Sequence, residues 1–549
     1  MSVKKINNIS VLGICMLIAL CMDGGFFDSS VAIIGLFIAG SILVLMKKGV
    51  NFYGRDKRNV FAIPLVLVGI AGVVSFWAID YMENLMGVMR LAIICLWMYL
   101  VQNRANEERF AVKNMIPLMG CISIGMSMIS FLITDLQPYF LENSRISGFF
   151  QYANTNALLF ALGIMILIYQ LKEQKKPIYS ILQIIVLLAG VFWSGSRSVL
   201  LLLLIWGVWY AIRTAEFRKP FLIGSIMAFL MGAAYAVITG STANIGRIFT
   251  IFTNSSTLWG RLLYYRDAIL FLGKKFLGIG RLGYYYSQGT FQSGVYNIKY
   301  VHNDFLQVAL DYGVIALVLV LLFVGWQIIK GKQSQTDKEL LVFIGVASLV
   351  DFHCQYLFIV MLACLFFDYG DCVKEKKKLT KEKCIVISGL FIMFVYIGIA
   401  TGSNRYGNYD MALTMLPNYT PAEENRLLVS MGTEESYVWA TELLEKNPYN
   451  ITAYTVRGAY YGSMLRIPEC IRDLDQMLEL APYSIDNYRQ YEGLLKNMKE
   501  AVLAMGEEGE ALELIQSRID SLPAQLESME ERTSSLAYKI NDLPVFSYK

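Results

Sequence analysis

Long apolar runs, cut by short polar breaks, dominate the first 400 residues. The first of them are 11–19, 31–46, 61–77 and 91–101. A helix needs about 20 mostly apolar residues to cross the hydrocarbon core of a bilayer. The pattern predicts thirteen spans, at 9–22, 30–46, 60–79, 85–101, 115–133, 154–171, 178–193, 198–212, 221–239, 307–329, 340–352, 355–370 and 384–401. The eleventh and twelfth are short, and one bent hairpin would also account for them. The expected fold is all-α: a polytopic membrane helix bundle over 1–401, followed by a soluble α-helical domain over 402–549.

That tail holds a repeat. Asn447-Pro448-Tyr449-Asn450 recurs as Ala481-Pro482-Tyr483-Ser484, with Ala453, Gly458, Tyr460, Tyr461, Ile471 and Leu474 between them. Pro448 and Pro482 are 34 residues apart, the period of tetratricopeptide helix pairs. Two copies are visible where about three are needed to bury a core. A capping or coiled helix is expected over 521–539, with Pro523 tolerated in its first turn. Such a domain is a scaffold that binds a partner protein or other ligand.

Composition agrees: 56% of residues are hydrophobic and 17% charged, against about 25% charged in soluble domains. The net charge of +4 is small, so its placement carries the information. Basic residues follow every even-numbered span: Lys47, Lys48, Arg55, Lys57 and Arg58; Arg104, Arg109 and Lys113; Lys172, Lys175 and Lys176; Arg213, Arg218 and Lys219; Lys330, Lys332 and Lys338; and the run from Lys374 to Lys383. The positive-inside rule makes these loops and the N-terminus cytoplasmic. Loops 134–153 and 240–306 and the tail 402–549 then face outward. Lys4 and Lys5 precede the first apolar run as in a signal peptide, but further spans follow at once without a small-residue cleavage site, so a retained first helix is expected. Nine cysteines form no CxxC or Cys/His pattern, and no metal site or cofactor is expected.

Arginines are unexpected on the outer side, yet Arg145, Arg197, Arg247, Arg261, Arg266 and Arg281 all fall there. Arg197 sits in Trp193-Ser194-Gly195-Ser196-Arg197-Ser198, a tight turn between spans. Ionisable residues at membrane depth are functional candidates, and guanidinium groups suit a diphosphate because they donate paired charge-assisted hydrogen bonds. Interfacial snorkelling is the plainer account of any one of them. The two histidines, His302 and His353, both fall at outward ends of spans. A neutral imidazole can act as general base for a hydroxyl. Alternatively His302-Asn303-Asp304 only caps the next helix, with Asn303 or Asp304 able to do so alone. A helix over 260–275 would place Arg261, Tyr265 and Ala268 on one face. Gly278-Ile279-Gly280-x-x-Gly283 resembles a dinucleotide fingerprint only by letter, since no βαβ unit surrounds it. No Walker A motif and no Asp-x-Asp pair in the long loop are present, so a cytoplasmic nucleotide-sugar enzyme is not expected. Separately, no nucleic-acid partner is expected.

Four patterns in order resemble the O-antigen ligase and polymerase superfamily of bacterial membrane glycosyltransferases, over roughly residues 55–370. They are Ser194-Gly195-Ser196-Arg197-Ser198; Gly260-Arg261 with Tyr265, Ala268 and Phe271, then Phe276-Leu277-Gly278-Ile279-Gly280; His302-Asn303-Asp304-Phe305-Leu306-Gln307 through Asp311-Tyr312-Gly313-Val314; and Leu349-Val350-Asp351-Phe352. Tyr265 stands where tryptophan is common and Ser198 where glycine is usual. The resemblance implies a GT-C-like bundle in the bacterial cytoplasmic membrane and a metal-independent transferase using an undecaprenyl-diphosphate-linked glycan. It implies diphosphate ligands at Arg197 and Arg261, with Arg266 matching less clearly, and a base at His302 supported by Asn303, Asp304 and Tyr265. The acceptor would be a glycan, a lipid, a cell-wall polymer or a protein. A flippase or exporter of lipid-linked glycans is the competing reading, although the internal symmetry of transporters is not visible.

Overall fold

A computed structural model describes residues 10–47, 52–55, 60–171, 177–219, 256–370, 372–377, 381–506, 509–540 and 543–548, with a few positions between 221 and 234. The expected span 221–239 and Arg247 lie largely or wholly outside the described residues. Helices dominate, and the described strands are two short antiparallel pairs, Phe52–Arg55 with Cys372–Lys377 and Leu141–Glu142 with Arg145–Ile146.

Six described helices are long and apolar enough to cross a membrane: Asp28–Lys47, Tyr81–Gln102, Asn106–Leu132, Ala153–Leu171, Asp304–Lys330 and Lys381–Arg405. Two of them keep rows of apolar side chains exposed at seven-residue spacing. Ile315, Leu322 and Ile329 form one row, and Ile385, Ile392 and Ile399 the other. Such stripes are tolerated where the surrounding solvent is lipid.

Apolar runs and spans are not the same thing, however. Val11–Cys21, Ala62–Val74 and Ile178–Ser194 are shorter apolar helices. The expected spans at 340–352 and 355–370 are the helices Gln335–Ala347 and Leu357–Leu365, with a 3-10 turn at His353–Gln355. Nine residues rise about 14 Å, half of what the hydrocarbon core requires. Leu357–Leu365 is apolar because protein buries it: seven of its nine residues are inaccessible.

The chain divides into two compact units. The first comprises Met1–Val66, Arg90–Ser255 and Leu319–Gly398, and the second Leu67–Met89, Ser256–Val318 and Ile399–Lys549. In the first, basic side chains hold the short buried helix at both ends. Arg90 donates to the carbonyls of Gln355 (3.0 Å) and Phe26 and pairs with Asp28. Arg109 donates to the carbonyls of Leu365 (2.9 Å) and Phe367 (2.8 Å), satisfying groups left over at the helix end. Trp97 donates to the Met361 carbonyl between them, at 2.8 Å.

In the second unit the glycine motif finds its purpose in close backbone approach. The helix Asp304–Lys330 breaks at Gly313, whose φ is 90°. Residues 276–280 dock on this break: Ile279 donates to Leu310 O and Gly280 to Asp311 O, both at 2.9 Å, and Val314 donates to Phe276 O at 2.9 Å. Gly278 has φ +85°, and a Cβ on it would lie 2.5 Å from the Gly313 nitrogen and 2.7 Å from the Asp311 oxygen. Both neighbours are backbone and cannot swing aside. Gly278→Ala is therefore expected to lose about 2–4 kcal/mol through backbone strain and overpacking, seen as a clear fall in thermal unfolding temperature.

The tail in this unit is mostly helical among the described residues. Glu434–Lys446, Ile451–Ser463, Ile467–Leu480 and Ile485–Ala504 follow one another. Thr433 and Asn450 cap the first two by accepting from the backbone nitrogens of Ser436 (3.1 Å) and Ala453 (2.9 Å). Ile451 and Ile485 open helices 34 residues apart, in step with Pro448 and Pro482. Cys470, Leu474, Tyr488, Tyr491, Leu495 and Leu522 fill the core. The last long helix differs from expectation. It is Glu510–Glu527, with Pro523 in its interior, and only a 3-10 turn forms at Ala537–Lys539. Gly506 and Gly509, with φ of 75° and 131°, end the previous helix and set this earlier start. Asp80 ties the tail down: its carboxylate accepts from the Thr420 hydroxyl at 2.7 Å and the Asn447 amide at 3.1 Å.

Candidate active site

Within the second unit, His302 stands where an irregular segment becomes the helix Asp304–Lys330. Asn303 caps that helix, its Oδ1 accepting from the Leu306 nitrogen at 3.0 Å. Capping thus falls to Asn303, and Asp304 is the buried first residue of the helix. His302 adopts a left-handed backbone, φ 53°, a conformation in which histidine and asparagine are enriched among non-glycine residues. Three contacts enforce it. The Tyr265 hydroxyl donates to the His302 carbonyl at 2.6 Å. Gln307 accepts from the Val301 nitrogen at 3.0 Å and donates to Asp311 at 2.8 Å. His302 itself is half-buried.

The helix Ser256–Lys274 supplies the neighbours. Arg261 and Tyr265 lie four residues apart on one face. The Tyr264 ring centroid is 6.1 Å from that of His302. Burial pushes the Tyr264 phenol up, and the nearby Arg261 charge draws it back. Tyr264 thus has both Arg261 and His302 as neighbours.

Arg266 is used differently. At about 100° per residue it lies some 140° round the helix from Arg261. Its guanidinium donates to Asp267 (3.0 Å) and to the Ser293 hydroxyl (2.8 Å). The Asp267 carboxylate is buried and also accepts from the Ser293 nitrogen (2.7 Å), the Ser293 hydroxyl (2.6 Å) and the Tyr296 hydroxyl (3.0 Å). Arg266 and Asp267 therefore anchor the loop that follows. No motif pointed to Asp267, because a lone buried carboxylate has no sequence signature. Arg281 is also taken up structurally, in a buried pair with Glu83 at 2.5 Å.

In the first unit, Arg197 opens the helix Arg197–Arg213 after a left-handed Gly195, φ 60°. Ser196 is the N-cap residue. Its hydroxyl is buried and has no hydrogen-bond partner among the described residues. Arg145 fixes the turn. It donates to the Ser194 carbonyl at 2.5 Å and to Asn154 Oδ1 at 2.7 Å. Asn154 and the Tyr152 hydroxyl in turn donate to Asp351, at 2.7 and 2.8 Å. Two of the sequence patterns, Ser194–Ser198 and Leu349–Phe352, are thereby joined through Arg145 and Asn154. His353 is fully buried, its Nδ1 3.0 Å from the Thr155 hydroxyl.

Comparison with curated proteins and with solved structures returned no match. Residues 182–321 match the O-antigen ligase family, Wzy_C. The matched stretch is narrower than the resemblance over 55–370, but it takes in Ser194–Ser198, Arg261 with Tyr265, and His302 through Val314. The stretch that carries Arg197, Arg261 and His302 matches an O-antigen ligase domain, and the match supports the likeness of this membrane protein to the O-antigen ligase and polymerase superfamily.

Proposed function

We propose that the chain transfers a glycan from undecaprenyl diphosphate to an acceptor hydroxyl at the outer face of the bacterial cytoplasmic membrane. The reaction is a single inverting displacement without a metal. The acceptor oxygen bonds to the anomeric carbon while the bond from that carbon to the phosphate oxygen breaks. The electron pair leaves with the diphosphate, and the acceptor proton passes to His302. Arg197 and Arg261 bind the diphosphate and stabilise its developing charge. Asn303 and Tyr265 hold His302 in place, and Asp304 continues the helix behind it. Arg266 acts at one remove, through the loop it anchors. Loop 240–306 and the tail 402–549 lie outside the cell, and the tail is a tetratricopeptide-like scaffold.

The observation that carries this reading is the helix start at Ser196–Arg197, inside the family-matched stretch. Helix N-termini present unpaired N–H groups and a positive dipole end to anions. Here a buried hydroxyl without a partner among the described residues and a guanidinium adjoin one. Phosphate oxygens complement all three.

The test is purified full-length protein with synthetic undecaprenyl-diphosphate oligosaccharide and a free oligosaccharide acceptor. Release of undecaprenyl diphosphate with a lengthened glycan is expected. No release, with the same lipid crossing a liposome bilayer, would replace the transferase by a flippase.

A further inference from the structure

The second unit contains a cleft of about 390 Å³ between the segment around residues 285–297 and the tail helices. Its size falls within the range of small-ligand sites. Tyr285, Tyr286 and Tyr296 line one side. Tyr449 and Tyr483, the equivalent tyrosines of the two Pro-Tyr repeats, line the other. The 34-residue period thus delivers matching aromatic rings to one place.

Four polar side chains in this cleft lack a full complement of protein partners. The Tyr285 and Tyr449 hydroxyls and the Asn487 amide have no hydrogen-bond partner among the described residues. Glu424 accepts from the Asn450 amide at 2.6 Å through one oxygen, and its other oxygen is unpartnered among them. No lysine or arginine lines the cleft, and Glu424 is its one charged residue. Phosphates and acidic sugars are poorly served by such a lining. Aromatic faces beside scattered donors and acceptors suit a neutral polyhydroxylated chain, whose C–H faces stack while its hydroxyls bond. No described strand borders the cleft, so a peptide could not bind there by adding a strand.

The cleft also leads toward His302. Tyr296 packs on Tyr264 with centroids 4.8 Å apart, and Tyr264 neighbours His302. The walls are braced: Arg532 donates to the carbonyls of Gly289 (2.7 Å) and Gln292 (3.1 Å), and Ser534 to that of Ser293 at 2.9 Å.

We infer that this cleft binds a neutral oligosaccharide segment of the glycan being handled, a short distance from the sugar that reacts at His302; its place in the reaction rests on the transferase reading above. Burial pushes the Glu424 carboxyl up to about 7, with Asn450 and Lys299 opposing and Asp80 and Glu423 adding. Near neutral pH Glu424 therefore both donates and accepts, as sugar hydroxyls require.

The experiment uses full-length protein in detergent and the oligosaccharide released by mild acid from the lipid-linked glycans of the producing cells. Saturation-transfer NMR is expected to show sugar-ring signals with wild type and with His302→Asn. Tyr449→Ala and Asn487→Ala, checked for unchanged thermal unfolding, should each weaken binding about fivefold, and together more than about tenfold. In the transfer assay a raised KM for the free oligosaccharide assigns the cleft to the acceptor. A raised KM for the lipid-linked glycan assigns it to the donor. Absence of sugar signals, signals equal in wild type and double variant, or signals from a control peptide in place of the sugar would each overturn the inference. Binding without transfer would leave the cleft standing and remove the transferase reading. Transfer with both KM values unchanged in the double variant would do the reverse.

Discussion

His302→Asn is expected to reduce transfer about 10²- to 10⁴-fold, the usual contribution of a positioned general base, while leaving the fold intact. Asparagine is the informative replacement. His302 has a left-handed backbone, φ 53°, and alanine there adds strain that asparagine largely avoids. The Tyr265 bond is to the His302 carbonyl, and the Asn303 cap is independent of the imidazole. Neither contact changes on substitution. Asparagine can still hydrogen-bond an acceptor hydroxyl but cannot take its proton near neutral pH. Release of undecaprenyl diphosphate, measured beside thermal unfolding, separates the outcomes. Full transfer by a folded His302→Asn protein would remove the base from the mechanism.

The parts of this protein that were legible in its sequence are those written in local periodicity. The apolar runs marked helices, and the Pro448 and Pro482 spacing marked helix starts at Ile451 and Ile485. The glycine motif was visible as a pattern of letters, but its role was not. Only the fold brings Gly278 against Gly313, because that approach depends on a break in a helix more than thirty residues on. Apolar composition alone could not separate a span from a buried segment. Leu357–Leu365 is as apolar as any span, and the signal that it is too short was a boundary, the least definite feature of such a reading. The arginines divided in the same way. Sequence marked six of them as outward, and the family resemblance singled out Arg197 and Arg261, with Arg266 less clearly. Their uses follow from carboxylates distant in the chain, Glu83 for Arg281 and Asp267 with Ser293 for Arg266. Asp267 itself was invisible, since its partners gather only after the loop 283–298 has folded back.

Arg145, a positioning residue, should also cost transfer heavily when lost, up to the loss expected of Arg197 itself. Its buried guanidinium spans two acceptors, the Ser194 carbonyl and Asn154, and Asn154 passes the constraint to Asp351. Ser194 opens the turn that aims Arg197. Arg145→Ala frees that turn and leaves Asp351 with fewer supports. A misplacement of about 1 Å at a substrate-holding group costs about 10²-fold, so transfer should fall roughly 10- to 100-fold. Arg145→Lys should not restore it, because one ammonium lacks the planar fork that meets both acceptors. If the effect acts through Arg197, it appears as a raised KM for the lipid diphosphate donor with the KM for the acceptor unchanged. An Arg145→Ala protein that unfolds earlier by a few degrees but keeps its donor KM would assign Arg145 to the fold alone. A donor KM that rises to match that of Arg197→Ala, with no further rise in the double variant, would establish that the two arginines act as one unit.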